Sequence, residues 1–213
     1  MEIPLFPLDT VLFPGWPMPL HIFEPRYLEM VRYCTEEKSP FGVLLIKQGR
    51  AEADPAVVPH DVGCMVNITQ TEQLGDGRLL IMTIGQERFR VLSLEHGKPY
   101  LVGDVERLPY LPEKTAPLQA AANDLHPLVL DYLTTLTSLA DNIEFDPTQI
   151  PTDPEALSHM AASLLQVSLK TKQSLLEAKK ISNALNFLTS HYRHEIDLLK
   201  QFPRQDMGNF SVN

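Results

Sequence analysis

Proline spacing is the strongest constraint that the start of the chain places on the fold. Six of the eighteen prolines lie from Pro4 to Pro25. Proline fixes φ and lacks an amide proton, so this stretch cannot form a long helix. The apolar runs around Phe6 and Leu20 instead predict short strands at a sheet edge or in a barrel. Pro25 suits the first turn of a helix, and the apolar spacing behind it predicts one.

The glycine distribution divides the chain into two parts. Nine of the ten glycines lie at or before Gly103, and short apolar runs separated by turn signals fill this part. These runs predict strands at residues 41–47, 62–74, 78–84, 88–94 and 100–108. Gly75-Asp76-Gly77 predicts a tight hairpin turn, because glycine adopts the positive φ that such turns need. The first part is therefore predicted to be rich in β-structure.

The remainder of the chain has helical periodicity. Residues 118–139 carry apolar side chains at helical spacing, and Pro127 either kinks one helix or begins a second. Thr152 or Asp153 before Pro154 is typical of a helix start, and residues 181–199 form the clearest amphipathic pattern. We predict an α+β fold with a β-rich part at residues 1–112, a helical bundle at 113–203 and a flexible tail at 204–213.

Composition and charge argue against several classes of function. The chain can bury a core, since 44% of its residues are hydrophobic, but no apolar stretch approaches the ~18 residues of a membrane span. The formal net charge of −9 argues against nucleic acid, whose phosphates are bound mainly by Lys and Arg. Cys34 and Cys64 have neither metal spacing nor a disulfide framework, which fits a reducing compartment. We expect a cytoplasmic protein without a membrane or nucleic-acid partner.

The sequence contains no complete catalytic motif. Its Gly-Lys pair, Gly97-Lys98, is followed by Pro99 and not by the Ser or Thr of a phosphate-binding loop. No G-x-S-x-G is present, and His60 upstream of Cys64 is the nearest approach to a base beside a nucleophile. We therefore predict that the chain is not an enzyme and has no catalytic residue.

Histidines near the end of the chain are the nearest approach to a metal site. His191, His194 and Glu195 lie at spacings that share a helix face, as metal ligands can. The spacing is not that of the H-E-x-x-H motif, and Tyr192 and Ile196 define the buried face instead. We interpret the histidines as solvated, and we expect neither a metal nor another cofactor.

Two arginines flank Phe89 in one of the predicted strands. Successive side chains on a strand point to opposite faces, so Arg88 and Arg90 do not form a single nucleic-acid platform with Phe89. If the chain turns near Gly97, Asp104 and Glu106 lie roughly opposite the arginines. The sequence therefore predicts cross-strand ion pairs.

A loop rich in large apolar residues is the candidate binding site. It contains Phe13, Pro14, Trp16 and Met18, and Trp16 is the only tryptophan of the chain. Such side chains either fold back to cap the core or remain exposed as a recognition patch. The exposed alternative would suit an extended or unfolded polypeptide.

Several motifs resemble the Lon N-terminal (substrate-binding) domain family. The N-terminal segment resembles its F-P-G loop and F-E-P-R-Y helix entry at Phe13-Pro14-Gly15 and Phe23-Glu24-Pro25-Arg26-Tyr27. Residues 84–91 and 99–102 are similar to its G-x-x-R-F-R-V and P-Y-L strands, and residues 172–177 to its K-Q-x-L-L-E turn before the last helix. These motifs follow one another in the family's order.

The resemblance implies a PUA-like pseudo-barrel with one helix, followed by a helical bundle. It implies a stand-alone, non-catalytic module that recognises polypeptide segments or a protease or chaperone partner, and it leaves room for a weak homodimer. The ATPase and Ser-Lys peptidase of full-length Lon proteases are not expected in a chain of 213 residues. The alternatives are an RNA-binding PUA-like module and a hydrolase with an unrecognised site.

Overall fold

Two compact units make up the chain. The computed structural model describes residues 1–49, 57–139 and 145–201. The first unit contains Met1–Leu111 and the later segment Ala162–Ala178; the second contains Pro112–Ala161 and the chain from Lys179 onward. The single boundary predicted at residue 112 therefore does not account for Ala162–Ala178, which returns to the first unit. The tail predicted at 204–213 lies outside the described residues.

The first unit is built on a mostly antiparallel sheet of seven strands. The strands are β1 (Glu2–Leu8), β2 (Pro17–Ile22), β3 (Phe41–Gln48), β4 (Val58–Pro59), β5 (Val62–Gln73), β6 (Leu79–Glu95) and β7 (Leu101–Arg107). Their order is β1-β7-β6-β5-β3-β4, and β2 pairs with β6. An additional parallel pairing joins β1 to β3, so the pairings among β1, β7, β6, β5 and β3 form a closed circuit.

Strand β1 accommodates its prolines by changing partner along its length. Residues 2–5 pair with β7, whereas residues 5–8 pair with β3. Pro4 and Pro7 therefore each lie in a half of the strand that has a partner on one side. A proline in a ladder is tolerated where its nitrogen faces an unpaired side, so the predicted strand forms despite both prolines.

The β5–β6 hairpin forms at the predicted turn. Gly77 has a φ of +85°, and the amide of Leu74 donates to the carbonyl of Arg78 at 2.8 Å. The prediction of two separate strands at 78–84 and 88–94 was wrong, because β6 is a single strand of 17 residues. It pairs with β5, and with β2 and β7 in turn along its other side.

Five helices lie within the described residues. They are α1 (Pro25–Glu36), α2 (Thr115–Leu139), α3 (Pro154–Leu164), α4 (Leu169–Leu176) and α5 (Ile181–Gln201), with a short 3-10 helix at Pro147–Gln149. Helix α1 begins at Pro25 as predicted, and Pro127 lies inside the single helix α2. The carboxylate of Asp153 accepts a 2.9 Å hydrogen bond from the amide of Ala156, which confirms the predicted start of α3.

Two apolar clusters form the core of the first unit. One joins α1 to strands of the sheet through Tyr27, Met30 and Val31. The other is centred on Phe89, which is fully buried. A Cβ atom added at Gly63 would lie 2.9 Å from the Phe89 ring and closer still to the backbone oxygen of Val43 on β3, so this position requires glycine.

Helix α4 is held against the sheet by buried polar groups. The guanidinium of Arg88 on β6 donates to the carbonyl oxygens of Leu176 at 2.7 Å and Ala178 at 2.8 Å. Its carbon lies 3.4 Å from the centre of the Tyr110 ring. The side-chain amide of Gln173 donates to the carbonyl of Val62 at 2.9 Å. These contacts explain why Ala162–Ala178 belongs to the first unit.

The ion-pair prediction is therefore wrong for Arg88 and right for Arg90. Arg88 is 4% exposed and bonds to backbone carbonyls, whereas Arg90 lies 3.5 Å from Glu106, its partner in the β6–β7 register. Asp104 lies opposite Ser93, and its carboxylate accepts a hydrogen bond from the N-terminal ammonium.

The second unit is organised around α2 and α5. The amphipathic pattern of α5 buries Leu185, Leu188 and Tyr192, as its periodicity predicts. The ring of Tyr132 on α2 meets that of Tyr192 edge-on at 5.1 Å, and the Tyr192 hydroxyl donates to the Ala161 carbonyl at 2.9 Å. This satisfied hydroxyl allows a large amphipathic ring to lie in the apolar interior.

Candidate functional site

Residues 13–18, the Trp16 segment, are fixed to the middle of β6. The amide of Gly15 donates to the carbonyl of Gly85 at 2.8 Å, and the amide of Gly85 donates to the carbonyl of Trp16 at 3.0 Å. Gly15 has a φ of +78°, a conformation that favours glycine. The hydroxyl of Thr83 then donates to the carbonyl of Met18 at 2.9 Å, where β2 begins. These bonds fix the segment to a strand whose other side pairs with β5.

The four predicted binding residues differ in their exposure. Phe13 is 1% exposed, so its side chain is part of the core and not of the accessible surface. Pro14, Trp16 and Met18 are half-buried. Trp16 and Met18 pack against the core cluster that contains α1. The Trp16 ring thus covers the core with part of its surface and leaves part accessible.

An exposed apolar face of the sheet continues from the Trp16 segment. Side chains alternate across β2 and β6, so Pro17 and Pro19 lie on the face opposite to the buried Ile22 and Ile81. Leu80 on this face is 40% exposed. Large apolar side chains on one exposed face are a feature of surfaces that bind other proteins.

Two cavities adjoin the same part of β5. One, of about 410 Å³, lies between β5 and the end of α1, where Thr35, Lys38 and Ser39 line it. The other, of about 430 Å³, is lined by side chains of β2 and β6. Gln70 and Thr71 belong to the lining of both. The sequence patterns did not predict these cavities. The available signal was strand length, because β5 has 12 residues and its neighbour β3 has 8.

The cysteines have the properties of apolar core residues. Burial raises the pKa of the Cys64 thiol to about 12, and its sulfur donates to the carbonyl of Met65 at 3.5 Å. His60, the predicted nearest approach to a base, faces Glu177 at 3.6 Å. Burial likewise raises the pKa of Cys34 to about 12. A thiol held in its protonated form is a poor nucleophile.

The histidines of α5 do not converge with other metal ligands. The imidazole of His191 stacks on Phe187 with ring centres 3.8 Å apart, and its Nδ1 lies 3.0 Å from the Phe187 carbonyl. Over residues 1–49, 57–139 and 145–201, no group of three His, Cys, Asp or Glu side chains could hold a metal ion. In the same ranges, none of the helices combines the length and apolar character needed to cross a membrane.

Comparison with known families matches the fold and the sequence motifs. A family model described as the ATP-dependent protease La (LON) substrate-binding domain matches residues 2–194. The fold and this match together define a substrate-binding domain. The chain belongs to the Lon substrate-binding domain family.

Curated relatives include Lon proteases from several bacteria. Lon protease 1 of Hydrogenovibrio crunogenus is 25% identical over 196 residues, which are 92% of this chain and 24% of that protein. Lon protease of Haemophilus influenzae is 25% identical over 211 residues, which are 93% of this chain and 25% of that protein. The chain therefore spans about a quarter of the length of these relatives.

Solved structures support the same fold. A Lon N-terminal domain protein from Xanthomonas campestris superposes with a TM-score of 0.62 at 27% identity, over 95% of this chain and 99% of that one. The N-terminal domain of Mycobacterium avium complex Lon protease superposes with a TM-score of 0.71 at 18% identity, over 91% and 98% of the two chains. The mostly antiparallel sheet with helices is thus the fold of Lon N-terminal domains.

Proposed function

We propose that this protein is a non-catalytic module that recognises segments of other polypeptides, in the manner of a Lon substrate-binding domain. The observation that carries the proposal is the match of the family model to residues 2–194. The relatives are named as proteases, and the chain aligns with about a quarter of their length. A protease or a chaperone is the partner class that this relationship favours.

The Trp16 segment is the contact site that we propose for such a ligand. Its half-buried tryptophan and methionine pack on the core cluster that contains α1, and its Pro17 begins the exposed apolar face of β2 and β6 on the other side of the sheet. Aromatic side chains supply large contact areas at low cost in conformational entropy, and they dominate many binding interfaces. The buried side chain of Phe13 anchors the segment in the core. Hydrogen bonds to Gly85 hold the segment in place before a ligand arrives.

The strand pairings support a pseudo-barrel as the frame for this site. The circuit through β1, β7, β6, β5 and β3 returns to its starting strand. We propose that the first unit has the PUA-like form that the family resemblance implies. A closed arrangement would hold β6, and hence the Trp16 segment, more rigidly than an open sheet.

The charge and the thiols support a polypeptide ligand and a cytoplasmic location. The net charge of −9 opposes binding to nucleic-acid phosphates. Both cysteines are free thiols, which fits a reducing compartment.

Replacement of Trp16 with Ala tests the proposal. Fluorescein-labelled casein serves as the unfolded ligand, and fluorescence anisotropy measures its dissociation constant. We expect the constant to rise about tenfold or more, as for an aromatic residue that anchors an interface. Leu92→Ala is the matched control, because Leu92 is an apolar residue that is 56% exposed elsewhere on β6.

A folded Trp16→Ala protein with unchanged affinity would remove the Trp16 segment from the proposal. Since Trp16 also packs on the core, circular dichroism and the melting temperature must accompany the binding data. Trp16→Phe keeps an aromatic ring and is expected to retain most of the stability and part of the affinity. Failure of the unchanged protein to bind casein would contradict the wider function.

A further inference from the structure

Strand β5 has an open edge along its second half. Strand β3 pairs with β5 at positions 64–66, whereas β6 continues to pair with it as far as Gln73. Among the described residues, no backbone group from another segment pairs with Asn67–Gln73 on the side away from β6. These residues are the open edge of β5. An edge of this kind presents a row of N–H and C=O groups to another extended chain.

The ladder of β6 identifies which groups of the open edge point outward. Gly85 bonds through both its N–H and its C=O to the Trp16 segment, on the β2 side of β6. Because backbone groups alternate in direction along a strand, those of Met82 and Leu80 point towards β5. Their register partners, Gln70 and Glu72, therefore point towards β6. The N–H and C=O of Thr71 point outward.

The outer edge of β2 is protected, and the open edge of β5 is not. Pro17 and Pro19 pair with Ile84 and Met82, whose backbone groups point away from β2. The proline nitrogens therefore lie on the outer side of β2, where they remove two donors. Proline on an edge strand is a common defence against unwanted pairing. The stretch Asn67–Gln73 contains no proline, so its donors remain available.

Two cavities flank the open edge where it is best suited to accept a strand. They share Gln70 and Thr71, and they measure about 410 and 430 Å³. The first reaches the end of α1, and the second reaches Leu80 and Met82 on the exposed face of the sheet. A strand added to an edge directs alternate side chains to opposite faces of the sheet. Cavities beside the same two edge residues give space for both sets of side chains.

The linings of the two cavities predict the side chains of the added strand. Pro19, Leu80 and Met82 line one cavity and favour apolar side chains. Thr35, Lys38 and Ser39 line the other cavity, and their hydroxyl and ammonium groups favour polar or acidic side chains. A segment that alternates apolar and polar residues satisfies both.

We propose that the open edge of β5, centred on Thr71, binds an extended segment of another polypeptide by strand addition. This inference rests on the proposed function, because both concern polypeptide ligands, but it assigns a different contact. Backbone hydrogen bonds supply affinity for many sequences, and the two cavities select alternation of apolar and polar residues. A bulge between Ile68 and Gln70 bends the strand and restricts the added segment to the residues that follow it.

Backbone methylation of a peptide tests strand addition directly. The probe is a fluorescein-labelled ten-residue peptide of alternating leucine and serine, measured by anisotropy with the unchanged protein. In an added strand, the amides of all leucines point to one side and those of all serines to the other. Methylation of the set that faces β5 removes the donors to β5, and peptide affinity is expected to fall about tenfold or more. Methylation of the other set is expected to change affinity less than about threefold. Equal effects of the two sets would overturn the proposal.

Variants of Thr71 provide the matching test in the protein. Thr71→Pro removes an outward donor but no bond to β6, and peptide affinity is expected to fall about tenfold. Thr71→Val keeps the donor and is expected to bind as the unchanged protein does. If Thr71→Pro fails to fold, the methylated peptides decide the question. Equal binding by folded Pro and Val variants would contradict the proposal.

Trp16→Ala separates this inference from the proposed contact at Trp16. Loss of peptide binding in Thr71→Pro but not in Trp16→Ala supports the edge and contradicts the Trp16 segment; the reverse pattern overturns the edge. Sedimentation velocity tests the remaining occupant, a second copy of this chain. The inference would be refuted if the unchanged protein formed a dimer and bound no peptide, and if Thr71→Pro dissociated that dimer. The edge would then serve self-association.

Discussion

Replacement of Arg88 with Met is the most direct test of what holds Ala162–Ala178 to the first unit. The methionine side chain is apolar, unbranched and similar in length, so it can fill much of the same space. It cannot donate to the carbonyl oxygens of Leu176 and Ala178, which lie 2.7 and 2.8 Å from the guanidinium. The substitution therefore removes polar contacts with little loss of packing.

The expected loss of stability follows from these contacts. A hydrogen bond to a charged group contributes about 1.5–3 kcal/mol, and stacking of the guanidinium on Tyr110 adds about 0.5–1 kcal/mol. The gain is partly offset by the cost of burying the cation, since Arg88 is only 4% exposed. We expect Arg88→Met to lower the free energy of unfolding by about 3 kcal/mol.

Arg90 offers a matched control on the same strand. It faces Glu106 at 3.5 Å, and both side chains are about half exposed. Exposed ion pairs contribute little, so Arg90→Met should cost less than about 1 kcal/mol. Urea unfolding measures both values, and hydrogen exchange of α4 should accelerate in Arg88→Met alone. Equal losses in the two variants, or an unchanged exchange rate in α4, would refute this account of the fold.

Two further predictions concern a helix cap and a glycine. The hydroxyl of Ser182 donates to Glu113, and its amide donates at 3.1 Å, which lowers the pKa of Glu113. A carboxylate whose pKa is lowered in the folded state adds stability at a pH above its unfolded value of about 4.3, and this contribution is lost as the pH falls through the folded-state pKa. Glu113→Gln should therefore cost about 1 kcal/mol at pH 7 and clearly less at pH 3. Urea unfolding at both pH values checks this, and a cost independent of pH would contradict it. Gly63→Ala should destabilise by about 3 kcal/mol, because its Cβ would collide with a backbone oxygen. Gly97→Ala is the control, because a Cβ atom there would meet no atom within 4 Å outside its own chain neighbours. Thermal unfolding should give this variant the melting temperature of the unchanged protein. Similar melting temperatures for the two variants would disprove the steric argument.

Local signals predicted much of the secondary structure. Pro25 at the start of α1, the turn at Gly77 and the cap at Asp153 each depend on the conformation of a few neighbouring residues. The apolar periodicity of α5 likewise indicates which face of the helix is buried. Such features can be read from a short stretch, because the chemistry that determines them lies within it.

Contacts between distant parts of the chain were less predictable. Cross-strand pairing explained Arg90 but not Arg88, whose acceptors lie 88 and 90 residues away in sequence. No signal near Arg88 indicates that α4 covers it. The short helix α4 was itself interpreted as a turn, since its 8 residues provide little helical periodicity.

The candidate site was predictable in part. Clustered apolar residues identified the Trp16 segment, but the sequence could not distinguish the buried Phe13 from the half-buried Trp16. The open edge of β5 depends on where its pairing with β3 ends, and the sequence alone does not show which strands are neighbours. A strand longer than its neighbour is the sequence signal for such an edge.

The return of Ala162–Ala178 to the first unit affects how the protein can be divided by genetic truncation. The chain passes between the units at residues 111/112, 161/162 and 178/179. An expression fragment that ends after Leu111 would discard the acceptors of Arg88 and the donor to Val62. A fragment of the first unit would need residues 162–178 joined to the sheet by a new linker, and a fragment of the second unit would need a linker in their place.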